Sequence, residues 1–129
     1  MDHADRIRAY FASCTDDAPH EIASHFTDDA VIYDTNHAPV VGAEAIGTFW
    51  EKIRGQWQGA VWGVDRVVSD GATAAIEWHM KGDAEHGPFV FRGSEHYAFV
   101  GDLISEIRQY WTFDRAASDT GLQGYPYDT

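Results

Sequence analysis

The apolar positions of this chain change period once, near residue 59, and the change divides it into two parts. Before it, apolar residues recur every three or four positions. Ile7, Tyr10, Phe11 and Cys14 share one face of a helix expected over about 2 to 14, with Asp2 and Asp5 suited to its N-terminal dipole. Pro19 suits the first turn of a second short helix, about 19 to 26, whose buried pair is Ile22 and Phe26. A strand from Ala30 to Tyr33 then runs into Asp34. Gly42 punctuates, and "AEAIGTFWEKIRGQW" reads as a third helix with Ile46, Phe49, Trp50, Ile53 and Trp57 on its apolar face.

From residue 59 onward the alternation is strict. "AVWGVDRVVS", "TAAIEWHMK", "FVFRGSEHYAFV" and "LISEIRQYWTF" read as strands, separated by turns at "SDG", "GDAEHGP" and "GD". Helices first and hairpin-linked strands second predict an α+β domain, its helices packed on one face of a curved antiparallel sheet. No linker or repeat divides the chain, so one domain is expected over 1–129, with a core of about 4–114 and a tail of about 115–129.

Alternation also sorts the side chains by face. Phe89, Phe91, Gly93, Glu95, Tyr97 and Phe99 share one row of the long strand, which faces the helices because it is aromatic. Glu95 therefore stands in an apolar row. An ionised carboxylate there is costly unless paired, and its pKa rises if it lacks a partner. Trp78 and Trp111 lie in the inward rows of their own strands. Glu77, His79, Arg92, His96, Glu106 and Arg108 lie in the outward rows, as a mixed-charge face that is solvated or meets a second copy.

Charge and composition narrow the function. A formal net charge of -12, with 9 basic residues against 21 acidic ones, argues against nucleic acid and anionic membranes as partners. No apolar run approaches the ~20 residues of a membrane span. One cysteine, Cys14, allows no internal disulfide, and no metal-ligand spacing is present, so neither a metal nor another cofactor is expected. With no apolar leader at "MDHADRIRAY", a cytoplasmic protein is expected.

"HFTDDAVIYD", "VVGAEAIGTFW", "ISEIRQYWTF" and the order of elements resemble the nuclear transport factor 2-like superfamily, and within it the SnoaL-like cyclase and ketosteroid isomerase group. The resemblance implies a cone, a bent sheet wrapped around a pocket and closed by the helices, with dimers formed through the outer sheet face. It also implies site residues. Tyr10 matches a first-helix tyrosine, Asp34 the catalytic base after the first strand, Glu95 a protonated acid on the long strand, and Trp111 a tryptophan near the end of the last strand. Glu95 is one methylene longer than the acid of that family.

Two readings follow. In the first, the protein is a cofactor-independent acid–base enzyme of isomerase or dehydratase/cyclase type, acting on a small apolar cyclic or carbonyl compound. Asp34 takes the proton, Tyr10 and Glu95 stabilise the developing oxyanion, and Trp78, Phe91, Phe99 and Trp111 hold the ring. His37 stands close enough in sequence to reach the mouth and assist Asp34. In the second, the domain binds a ligand or a second copy without chemistry. Asp34 is then a turn former, Tyr10 a core residue, and Glu95 a structural group satisfied by Tyr10, Gln109 or Trp111. His3, His20 and His25 are expected at the surface.

Overall fold

A computed structural model describes residues 1–84, 87–114 and 116–127. Helix α1 spans His3–Asp16, α2 Pro19–Ala23 and α3 Ala43–Gln56. The strands are β1 (Phe26–Asp34), β2 (Val40–Val41), β3 (Val61–Ser69), β4 (Thr73–Ala84), β5 (Gly87–Val100) and β6 (Leu103–Trp111). They form one curved, unclosed sheet in the order β2-β1-β6-β5-β4-β3. Every pairing is antiparallel except that of β1 with β6, which is parallel. Among the described residues no helix is long and apolar enough to cross a membrane.

The elements follow the expected order with three local differences. The second helix ends at Ala23, not near 26. The backbone carbonyl of His25 accepts from the Ile104 amide at 3.0 Å, and Phe26 pairs with Ile104, so sheet pairing takes those residues from the helix. The two-residue strand β2 was not expected. The turn at "GDAEHGP" is shorter than its sequence suggests, because pairing runs on to Ala84 and resumes at Gly87; Glu85 and His86 lie outside the described residues.

The core fills the concave side. Ile7, Tyr10, Phe11 and Cys14 of α1 and Ile46 of α3 pack with Ile76, Trp78 and Met80 of β4, Phe91 and Tyr97 of β5, and Ile107 of β6. Each fully buried aliphatic or aromatic side chain of this kind contributes about 1.5–3 kcal/mol. His25 departs from its expected surface position. It is buried between Arg6, whose Nη1 lies 3.0 Å from Nδ1, and Ser13, whose Oγ lies 2.8 Å from Nε2. The Ser13 hydroxyl donates to Asp17, so it accepts from Nε2–H, which leaves Nδ1 to accept from Arg6. Burial and the Arg6 charge pull the His25 pKa below its ordinary value.

The tail returns to the sheet. Beyond Trp111, β6 no longer covers β5, and the tail takes its place. The Val90 amide donates to the Ser118 carbonyl at 2.8 Å, and the Thr120 amide to the Val90 carbonyl at 3.1 Å. The tail then crosses the outer face. Tyr127 lies 3.7 Å beneath the Arg92 guanidinium, and the Tyr125 hydroxyl accepts from Arg66 at 2.6 Å. Arg92 also faces Asp65 at 3.5 Å, which His79 contacts at 2.8 Å. Residues 115, 128 and 129 of the tail lie outside the described residues.

The helices meet closely at one glycine. A Cβ at Gly47 of α3 would stand 2.3 Å from the Pro19 carbonyl oxygen of α2, and that neighbour is backbone. Gly47→Ala is therefore expected to force the two helices apart and to destabilise the fold by about 1–3 kcal/mol, read as a lower urea midpoint with unchanged slope.

Candidate functional site

Register places the site. Across the concave face, Asp34 of β1 pairs with Gln109 of β6, Gln109 with Glu95 of β5, and Glu95 with Ile76 of β4. Three polar side chains thus stand side by side at one level of an otherwise apolar surface. The next level toward the end of β6 holds Trp78, Gly93 and Trp111 in register. The level on the other side holds Tyr97 and Ile107.

Each member of the polar row receives a hydrogen bond from an adjacent level. The Trp111 indole N–H reaches Asp34, 3.1 and 3.2 Å from its two carboxylate oxygens. The Trp78 indole N–H donates to Gln109 Oε1 at 2.6 Å. The Tyr97 hydroxyl donates to Glu95 Oε1 at 2.6 Å. The two indoles meet edge to face over Gly93, with centroids 5.7 Å apart. A Cβ there would come within 2.8 Å of both tryptophans and of the Tyr110 carbonyl, so only glycine leaves room for them.

Asp34 is both turn former and inward carboxylate. Its Oδ1 accepts from the Asn36 amide at 2.8 Å, closing an Asx turn. Thr35 Oγ1 and Asn36 Nδ2 donate to the Trp111 carbonyl at 2.7 and 3.3 Å, which clasps the loop to β6. That clasp turns the carboxylate inward, and its side chain is only 4% exposed. Donors face both oxygens, a pattern that suits the ionised form.

His37 lies at the rim. Its Nδ1 donates to the Ala38 carbonyl at 2.8 Å, so Nε2 is the nitrogen that faces Asp34, 3.4 Å from Oδ2. The ring rests on Phe49, 4.9 Å away. Beyond it Trp57, Phe91, Trp111 and Phe113 form an aromatic wall, with Trp57 5.8 Å from Phe91 and 5.7 Å from Phe113, and Trp111 5.8 Å from Phe113.

Glu95 is 3% exposed. Burial pushes its carboxyl up from the ordinary 4.5 to about 8; the Tyr97 hydrogen bond opposes that rise and the nearby Asp34 charge adds to it. Its hydrogen-bonding partner is Tyr97, two residues along the same strand, and not Tyr10, Gln109 or Trp111 as the pattern suggested. The alternation put Tyr97 on the same face, and that was the available signal.

Tyr10 is 1% exposed and lies in the core. Its hydroxyl accepts the Trp50 indole N–H at 2.8 Å, and burial holds its pKa well above the ordinary value. Phe99 is not brought to this group. It stays on the inner row but four residues beyond Glu95, its ring stacked on Tyr97 at 6.0 Å and on His3 at 3.7 Å, near the hairpin to β6. Trp78 and Phe91 are inward but buried, at 4% and 3% exposure, so their place is in the wall behind the polar row. Among the described residues no three His, Cys, Asp or Glu side chains stand together as a metal set.

The sequence pattern of the SnoaL-like domain matches residues 7–107. The chain belongs to the SnoaL-like domain family. A search of curated proteins returns no match. Several solved structures match this SnoaL-like domain. One is a protein of unknown function with a cystatin-like fold from Methylobium petroleophilum PM1, 26% identical, TM-score 0.74, covering 98% of this chain and 84% of that one. Another is a hypothetical protein with a ketosteroid isomerase-like fold from Catenulispora acidiphila DSM 44928, in complex with trimethylamine; it is 17% identical, TM-score 0.77, over 94% of this chain and 95% of that one. A third is a putative SnoaL-like polyketide cyclase from Jannaschia sp. CCS1, 11% identical, TM-score 0.70, over 84% and 83% of the two chains. Other matches are described as NTF2-like proteins, and the fold of this domain is nuclear transport factor 2-like.

The raised Glu95 pKa has a thermodynamic consequence. The folded state keeps the proton, while the unfolded chain releases it from about 4.5 upward. Stability therefore falls as pH rises between about 4.5 and 8, by at most about 1.4 kcal/mol per pH unit from this group, and its contribution levels off above that window. Urea unfolding across the window is expected to show a shallower decline in Glu95→Gln, and equal slopes would exclude a protonated Glu95.

Proposed function

We propose that this SnoaL-like domain is a cofactor-independent acid–base enzyme that moves a proton next to the carbonyl of a small, uncharged cyclic compound. The observation that carries this reading is the pair of carboxyl groups at one level of the concave face. Asp34 is surrounded by N–H donors that suit its anion, whereas Glu95 is buried and holds its proton up to about 8. A carboxyl that keeps its proton, set at the same level as one that faces only donors, is suited to act as acid opposite a base.

In this mechanism the carbonyl ring lies against Trp57, Trp111 and Phe113. Asp34 removes the proton from the carbon beside the carbonyl. The C–H electron pair becomes a carbon–carbon double bond, and the carbonyl π pair moves onto oxygen. Glu95 donates a hydrogen bond to that oxygen through Oε2, which among the described residues has no protein partner. Where the ring carries a β,γ double bond, return of the proton from Asp34 to the γ carbon gives the conjugated isomer; where it carries a β-hydroxyl, the enolate expels that group, which leaves as water with the proton from Asp34, and gives a dehydrated product. Tyr10 packs in the core with its hydroxyl oxygen accepting from Trp50 and does not face the ring. His37, at the rim beside Asp34, is placed to contact the substrate or assist the base.

The substrate class follows from the lining. The ionisable side chains of the polar level and the one beside it, Asp34, Glu95 and Tyr97, are all acids, and the buried base His25 is turned to Arg6 and Ser13. Arg54, on α3, points instead to the carbonyls of Ser13 and Cys14. An anionic substrate would meet the acidic row with only the His37 ring at the rim to offset it, which favours a neutral apolar one.

A second reading, a non-catalytic binding module, is favoured by the low exposure of Tyr10, Trp78, Glu95 and Tyr97. Hydrogen–deuterium exchange beside the carbonyl of 1-indanone in D2O, followed by NMR, separates the two. Catalysis predicts exchange above background, lost by about 100-fold or more in Asp34→Asn with indanone affinity changed little. Binding without exchange would establish the second reading.

Pairing of two copies through the outer sheet face, and a cytoplasmic location, belong to the same proposal. Tyr125 and Tyr127 of the tail lie over Arg66 and Arg92 on that face, so the area left for a partner surrounds Tyr33, His96 and Tyr110. Sedimentation is expected to give a dimer that Tyr110→Glu converts to monomer; a wild-type monomer would exclude the pairing.

A further inference from the structure

We infer that Gln109 is a catalytic residue of this site, a fixed neutral donor to the substrate's carbonyl oxygen, held in that role by Trp78. The inference rests on the acid–base reading above and deepens it.

The orientation of the Gln109 amide follows from elementary chemistry. An indole N–H can only donate. Trp78 Nε1 lies 2.6 Å from one end of the amide, so that end is the oxygen, and the NH2 group occupies the other. Which way an amide points is usually ambiguous, but here the donor-only partner decides it. The NH2 carries two donors. Among the described residues neither has a partner, although Gln109 is partly buried.

Register supplies the place. Gln109 pairs with Asp34 on one side and Glu95 on the other, with all three on the concave face. An oxygen held between the two carboxyls would therefore meet the amide between them. Of the other inward hydroxyls, Tyr97 donates to Glu95, and Tyr10 is buried in the core against Trp50. A neutral donor also suits this position. A lysine or arginine there would pair with Asp34 and occupy the base, whereas an amide stabilises negative charge on oxygen without doing so.

The role fits one balanced step. As Asp34 takes the proton, the carbonyl π electrons move to oxygen, where Gln109 Nε2–H and Glu95 Oε2–H share the charge. When the proton returns to carbon, both hydrogen bonds relax to their ground-state strength. Gln109 thus acts mainly on the transition state, and its loss is expected in kcat more than in KM. Trp78 is a positioning residue. Without its N–H the amide is able to rotate and present its oxygen instead.

The test uses 1-indanone carrying a 13C carbonyl, with the bound carbonyl stretch read by infrared difference spectroscopy and α-exchange read by NMR. In the wild type the band is expected to move to lower wavenumber on binding. Gln109→Met keeps the length and removes both donors; it is expected to lose about half of that shift and about 100-fold in exchange rate. Trp78→Phe is expected to broaden the band and to lose about 10-fold, with affinity changed little. Gln109→Met also leaves the buried Trp78 N–H without an acceptor, so Trp78→Phe/Gln109→Met removes both partners and carries the same expectation if the single variant fails to fold. An unchanged band and rate in folded Gln109→Met would overturn the role of Gln109 and leave the acid–base reading standing. A wild type that binds indanone without exchange, or does not bind it, would overturn that reading and this inference with it.

Discussion

A polar row inside an aromatic cone is stable only if each member has a hydrogen-bond partner, because an unsatisfied buried polar group costs about 1–3 kcal/mol. In this domain the partners come from the adjacent levels of the sheet: the Trp111 indole for Asp34, the Trp78 indole for Gln109, and the Tyr97 hydroxyl for Glu95. All three are donors on large apolar bodies, so the groups that satisfy the row also fill the core around it. The pattern leaves the row short of protons on one side. Donors surround Asp34, and Gln109 turns its NH2 away from Trp78. The two carboxyls consequently stand on either side of Gln109 in different hydrogen-bonding surroundings.

Other features of the fold support that row. Gly93 has no side chain, so Trp78 and Trp111 can close over it and aim their N–H groups at the next level. The parallel pairing of β1 with β6 brings Asp34 to the level of Gln109, and the Thr35 and Asn36 hydrogen bonds to Trp111 hold the loop there. On the outer face, Asp65, His79, Arg92 and Tyr127 form a separate charged and aromatic set, and the tail that carries Tyr127 also occupies the edge of β5 left by the end of β6. The two faces of one sheet thus hold distinct polar systems. The inner one is acidic and sparsely solvated, and the outer one contains the paired cations.

Much of this was legible in the chain. The change from helical to alternating period located all three helices and the four long C-terminal strands, and it placed Glu95, Trp78 and Trp111 on the inner face. The strand entering Asp34 was recognised, though four residues short at its start, since Phe26 and its neighbours carry a helical spacing that pairing with Ile104 overrides. Gln109 was visible only as a possible partner of Glu95. A glutamine in an apolar row carries no charge anomaly, so periodicity alone does not single it out. Phe99 was assigned to the wall by alternation, which put it correctly on the inner row but does not say how far along that row the site extends; it stacks on Tyr97 and His3, beyond the polar level.

What the sequence determined by itself was therefore the set of faces: which residues point inward, that one of them is an acid among aromatics, and that no basic residue shares their rows. Those properties follow from local periodicity, which depends on backbone geometry alone. What only the tertiary structure decided was who meets whom. The partner of Glu95, the direction of the Gln109 amide, the inward turn of Asp34, the burial of His25 and the path of the tail all depend on register between strands distant in the chain. Register is set by the sum of packing across the whole sheet, and no single segment carries it.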